Sequence, residues 1–79
     1  MKKIIVTGGS GFIGTNLVNF LIKKNYFVIN IDKLTYSSNK LKVNFRNKRN
    51  YKFYKLDINN KKIFDILSRY KPEVIFNLA

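Results

Sequence analysis

Cysteine, histidine and tryptophan are all missing from this chain of 79 residues, and only four side chains are acidic. Without cysteine the chain can form neither a disulfide nor a thiolate metal site. Without histidine it lacks the commonest general base and the commonest metal ligand. The four acids, Asp32, Asp57, Asp65 and Glu73, are too few and too scattered to suggest a carboxylate metal cluster, so no metal is expected. Long apolar runs are missing too: none approaches the ~20 residues needed to cross a bilayer, and no membrane partner is expected. Met1-Lys2-Lys3 is a basic start, but the apolar run after it, Ile4 to Val6, leads straight into glycines and not into a signal-peptide core. The cytoplasm is therefore the expected compartment. A chain this short suits one small domain and buries only ~60% of its unfolded surface.

Scarcity of acid leaves a formal charge of +12. Between Lys33 and Leu56 there is no acid, while Lys40, Lys42, Arg46, Lys48, Arg49, Lys52 and Lys55 are basic. Phe45, Tyr51, Phe53 and Tyr54 lie among them, and aromatics between cations can stack bases. That is the signature of a basic nucleic-acid-binding module. Composition offers a simpler account. Lysine, asparagine, isoleucine, phenylalanine and tyrosine make up 46 of the 79 residues, all types encoded by A/T-rich codons, and cations occur on every segment. Specific nucleic-acid binding is not expected; nonspecific adhesion at low salt is.

What the chain does have is a glycine turn in an informative place. Thr7-Gly8-Gly9-Ser10-Gly11-Phe12-Ile13-Gly14 directly follows the apolar run Ile4-Ile5-Val6. Strand, glycine turn and amphipathic helix in that order make a dinucleotide-binding turn. Gly8 and Gly11 allow a tight turn and a close approach to a pyrophosphate, and Gly14 allows the helix to pack on the strand. The helix N-terminus then offers N–H groups and a partial positive charge to the phosphates. Strand-like Phe27 to Ile31 ends in Asp32, 21 residues beyond Gly11. A carboxylate there accepts hydrogen bonds from the adenosine ribose and repels a 2′-phosphate, which favours NAD over NADP. Lys33 is the one neighbour able to offset that repulsion.

The rest of the chain alternates β and α without repeat or linker. Lys3 to Thr7 reads as a first strand. A helix from Phe12 to Lys24 follows, with Ile13, Leu17, Phe20 and Leu21 on one face, Lys23 and Lys24 in its last turn, and Asn25 as its cap. Phe27 to Ile31 is a second strand. Thr35 to Asn50 reads as a long loop with room for one helical turn around Leu41 to Phe45. Tyr51 to Leu56 alternates as a third strand. Asn59 or Asn60 caps a second helix with Ile63, Phe64, Ile66, Leu67 and Tyr70 as its apolar face; Pro72 follows it, and Val74 to Leu78 is a fourth strand. Right-handed crossovers predict an α/β architecture, a partial Rossmann fold: a parallel sheet of about four strands in the order 3-2-1-4 with two main helices.

Ile5-Val6-Thr7-Gly8-Gly9-Ser10-Gly11-Phe12-Ile13-Gly14 resembles the opening of an extended short-chain dehydrogenase/reductase. Asp32-Lys33-Leu34-Thr35-Tyr36 followed by Asn39, then Leu56-Asp57-Ile58 and Pro72-Glu73-Val74-Ile75-Phe76-Asn77-Leu78-Ala79, narrow this to a resemblance to the dTDP-glucose 4,6-dehydratase family. Ser37-Ser38 departs from that family's pattern, which usually has a small residue and then glycine. The resemblance implies that residues 1–79 are the N-terminal part of an NAD-binding Rossmann domain. It further implies that Phe12 and Ile13 meet the pyrophosphate, that Asp32, Lys33, Leu34 and Thr35 meet the adenosine ribose, and that Asp57 and Ile58 meet the adenine. Leu78 and Ala79 would line the way to the nicotinamide. For Ile58 and Leu78 plain core packing is the alternative reading.

The same resemblance implies catalysis by a Tyr-x-x-x-Lys pair on a helix, which lies beyond Ala79 in family members. Tyr36 to Lys40 and Tyr51 to Lys55 match the spacing, but the first starts a loop and the second a strand, where i and i+4 stand ~13 Å apart. No catalytic residue is assigned here. A dTDP-sugar is expected as partner only where the missing part is supplied. Val74, Ile75 and Phe76 are expected at an exposed sheet edge, a pairing hazard that suits a truncated gene product or half of a split protein. A noncatalytic remnant of a related epimerase or decarboxylase is the rival reading.

Overall fold

A computed structural model describes residues 2–33 and 49–78. Six elements follow in order: β1 (Lys3–Thr7), α1 (Phe12–Lys23), β2 (Phe27–Asp32), β3 (Tyr51–Lys55), α2 (Lys62–Tyr70) and β4 (Val74–Asn77). The strands form one sheet in the order β3-β2-β1-β4, every pair parallel. This is the expected topology, with the C-terminal ends of α1, β2, β3 and β4 each displaced by one residue. The anticipated loop from Thr35 and the turn at 41–45 fall mainly outside the described residues.

Alternation along the strands sends side chains to two cores. Ile4, Val6 and Val28 pack with Val18, Leu21 and Ile22 of α1. Ile5, Ile29 and Ile31 pack with Ile66 of α2, joined by Tyr54, Leu56, Ile63, Leu67 and Tyr70. Successive strand residues face opposite ways, so α1 and α2 cover opposite faces of the sheet. Buried on both faces, β1 and β2 need the near-continuous apolar runs that they carry.

The phase of α1 differs from the expected one. Ile13 and Phe20 are 70% and 55% exposed, while Gly14, Thr15, Val18, Leu21 and Ile22 are buried. Gly14 is the reason. A Cβ there would lie 2.6 Å from the Gly9 Cα, so this face of the helix touches the turn itself, and positions 18, 21 and 22 follow it inward at helical spacing. Leu17 keeps part of its expected role at the margin of the core. Asn25 adopts φ 67°, directly after the C-cap Lys24, and its N–H donates to the Ile22 carbonyl (3.0 Å). That is the left-handed helix ending asparagine tolerates. In α2, Phe64 points to solvent instead of joining Ile63, Ile66, Leu67 and Tyr70.

Asn60 holds the start of α2 as expected, its Oδ1 accepting the Lys62 N–H (2.9 Å). At the other end the Tyr70 ring stacks on Phe27 with centroids 5.9 Å apart, and its hydroxyl lies 2.7 Å from that of Tyr54. Burial first, and the Tyr54 phenol second, push the Tyr70 phenol above its ordinary pKa. Among the described residues no helix is long and apolar enough to cross a membrane.

Candidate functional site

Parallel strands put all four C-terminal ends along one rim of the sheet. Thr7 is in register with Ile31 on one side and Asn77 on the other, and Asp32 pairs with Lys55. The chain leaves β1 at this rim through Gly8, whose φ of 75° lies in the left-handed region where glycine is favoured. Its N–H donates to the Ile31 carbonyl (2.8 Å), extending the β1–β2 ladder by one step. Gly11 N–H then donates to the Gly8 carbonyl (3.3 Å), and Thr15 N–H donates to the Gly11 carbonyl (2.8 Å), which starts α1.

The glycines of this turn have different physical reasons. Gly8 is set by backbone conformation. At Gly9 a Cβ would stand 2.6 Å from the Asn30 Cγ, and at Gly14 it would meet the backbone of Gly8 and Gly9. Gly11 is unlike them. Its φ of −76° and ψ of −178° are open to any residue, and a Cβ there would meet only the Gly8 carbonyl oxygen at an ordinary 3.7 Å. Nothing described in the chain demands glycine at position 11. No side-chain hydrogen bond caps the helix that starts there. The turn therefore presents an open approach to a helix N-terminus, where N–H groups and the peptide dipoles attract an anion.

Asp32 closes the other side. It is buried, and its Oδ2 accepts the Ser10 N–H (2.9 Å). The carboxylate thus grips the glycine turn as well as lying at the tip of β2. A carboxylate at this position is an acceptor on the rim of the sheet, beside the start of α1. Lys33 follows it, exposed. Leu34, Thr35 and Ala79 lie outside the described residues.

The remaining expected positions are on the same rim but play varied parts. Phe12 and Ile13, in the first turn of α1, are both 70% exposed despite their apolar side chains. Asp57 stands just past β3 in a tight turn, its Oδ1 accepting the Asn59 N–H (2.9 Å). Ile58 and Leu78 are exposed, so core packing does not account for either in this chain. Tyr51 and Lys55 are the two ends of β3, and the Tyr51 hydroxyl accepts from Asn30; the pair has no helical juxtaposition.

Two connections were not anticipated from the residues. Asn30, wholly buried on β2, donates from Nδ2 to the Ser10 Oγ (3.2 Å) and the Tyr51 hydroxyl (3.1 Å). Thr7 Oγ1 donates to Asn77 Oδ1 (2.6 Å), tying β1 to β4 at the rim. A single amide inside an otherwise apolar strand, Ile29-Asn30-Ile31, was the signal available for the first.

Comparisons with known proteins agree with this fold. The profile of the GDP-mannose 4,6 dehydratase family matches residues 5–79. A dTDP-glucose 4,6-dehydratase from Haemophilus influenzae is 43% identical over 100% of this chain and 24% of its own length. Among solved structures, dTDP-glucose 4,6-dehydratase from Bacillus anthracis in complex with NAD superimposes with a TM-score of 0.85 at 35% identity, covering 100% of this chain and 27% of that one. UDP-glucose 4-epimerase from Thermotoga maritima with UDP-glucose gives a TM-score of 0.78 at 40% identity, over 98% and 24% of the respective chains. The chain thus spans about a quarter of the length of the relatives it matches.

Proposed function

This chain belongs to the GDP-mannose 4,6 dehydratase family, and we propose that it is the NAD-binding N-terminal part of a nucleotide-sugar dehydratase of the dTDP-glucose 4,6-dehydratase kind. The observation that carries this reading is Gly11. Its backbone conformation and its surroundings both admit a side chain, so its glycine makes sense as clearance for a group from outside. A pyrophosphate suits that space, because the uncapped start of α1 faces it.

Each residue then has a share in binding. Gly8 and Gly14 shape the turn, and Gly11 leaves the approach open. Phe12 and Ile13 place apolar surface beside the pyrophosphate. Asp32 accepts from the adenosine ribose while holding Ser10, with Lys33, Leu34 and Thr35 beyond it. Asp57 and Ile58 border the adenine, and Leu78 and Ala79 the path to the nicotinamide. Bound NAD would supply a hydride acceptor at that end of the crevice. No residue of this chain is assigned to proton transfer, and the role given to it is to bind and orient the dinucleotide. The dTDP-glucose dehydratase from H. influenzae, at 43% identity, supports this substrate class ahead of a UDP-glucose epimerase.

Gly11→Val tests the reading directly. The variant should keep the parent's circular dichroism and melting, because the chain leaves room for a side chain there, and should lose measurable NAD binding. A folded Gly11→Val protein with the parent's NAD affinity contradicts the proposal.

A further inference from the structure

Asn30 is a costly residue where it stands. Its neighbours on the same face of the sheet are Ile4, Val6 and Val28, packed under α1. An aliphatic side chain would fit that environment without desolvating an amide. Its Oδ1 is buried and has no hydrogen-bond partner among the described residues. Such an orphaned acceptor costs free energy that the two bonds from Nδ2 must offset. Both bonds go to groups of interest: the Ser10 hydroxyl inside the glycine turn, and the Tyr51 hydroxyl at the start of β3.

Asn30 and Asp32 are two apart on β2 and so share a face. Asp32 holds the Ser10 N–H and Asn30 holds the Ser10 Oγ. Ser10 is thereby fixed through both its backbone and its side chain, midway between Gly9 and Gly11. On its other flank the Asn30 amide lies so close to Gly9 that residue 9 admits no Cβ. The amide therefore fixes the height of the turn above the sheet as well as its rotation.

We propose that Asn30 is a positioning residue for dinucleotide binding, setting through Ser10 where the glycine turn presents its N–H groups to the pyrophosphate. This rests on the NAD-binding reading above. Asn30 touches no ligand; it acts through the turn. Its contribution is to affinity, not to stability, and that separates it from an ordinary core residue.

Asn30→Leu keeps the branched shape and the number of heavy atoms and removes the amide donors. The variant should melt at or above the parent temperature and bind NAD roughly five- to tenfold more weakly, the loss expected for one hydrogen bond. Ser10→Ala should weaken NAD binding by the same factor, and the double variant no further, because both changes cut one link. Tyr51→Phe removes the other Asn30 partner and should leave NAD affinity within about twofold, since the bond to Ser10 survives. Ser10→Ala and Tyr51→Phe carry the test alone where Asn30→Leu does not fold. A parent-like affinity for Ser10→Ala, or losses that multiply in the double variant, overturns the proposal while leaving the NAD reading intact. A parent chain that fails to bind NAD at all overturns that reading, and the proposal with it.

Discussion

The first half of the sheet and the second are built to different standards. In β1-α1-β2, every strand residue but the first of each strand is buried, and α1 contributes five buried positions. In β3-α2-β4, no strand residue is fully buried and Ile66 is the one buried residue of α2. The first half thus carries most of the core and all of the glycine turn. The second presents Phe64, Ile75, Phe76 and Leu78 to solvent. Most of the core and the whole glycine turn share the thirty residues from Lys3 to Asp32, so core changes there should cost stability heavily, while changes at exposed positions of the second half should cost little.

The comparison can be broken most sharply at a pair of helix positions. Gly14→Ala forces a Cβ into the backbone of the turn and should abolish the cooperative thermal transition of so small a domain. Ser68→Ala, on the exposed side of α2, should shift stability by no more than about 0.5 kcal/mol. A Gly14→Ala protein that melts like the parent would show that the helix can lift off the turn without penalty.

A matched pair of isoleucines sharpens the same contrast at smaller amplitude. Ile29→Ala, wholly buried in β2, should cost ~2–5 kcal/mol in chemical denaturation. Ile75→Ala, about half exposed in β4, should cost less than about 1 kcal/mol. Equal losses would mean that β4 is covered in solution, by a second molecule for example.

The smallest effect lies at the Tyr54–Tyr70 contact. The folded Tyr70 phenol titrates above the ordinary 10.0, through burial and then the Tyr54 bond. The unfolded chain therefore releases this proton first, and the contribution is fully present below pH 10 and is lost as the pH climbs through the folded value. Tyr54→Phe removes the second cause and should flatten the alkaline fall in melting temperature. An unchanged slope would contradict a part for the Tyr54 bond in that fall.

Fold class was legible because it depends on patterns that single residues announce: apolar runs at β1 and β2, a glycine turn, Asn60 and Pro72 around α2. The phase of α1 was not legible. Counting apolar residues favours Ile13 and Phe20, yet the turn of the helix is decided by the backbone approach at Gly14, which has no side chain to count. Gly8 and Gly11 looked alike by spacing, while in space Gly8 answers to conformation and Gly11 to neither conformation nor contact; Gly14, read as a packing residue, does answer to contact. Asp32 was found by its distance from Gly11; its bond to Ser10, and that of Asn30, needed the turn folded back over β2. Side-chain links across 20 or 22 residues leave no periodic trace.

The account stands or falls on the cofactor crevice, and calorimetric titration of NAD and NADP into the full chain tests it most directly. Asp32 should accept from the ribose hydroxyls, each such charge-assisted bond contributing ~1.5–3 kcal/mol, whereas a 2′-phosphate would bring like charge against it. NAD should bind at least about tenfold more tightly than NADP, with Asp32→Ala erasing most of the difference. Equal affinities, or tighter binding of NADP, would contradict the role assigned to Asp32 and to the crevice around it.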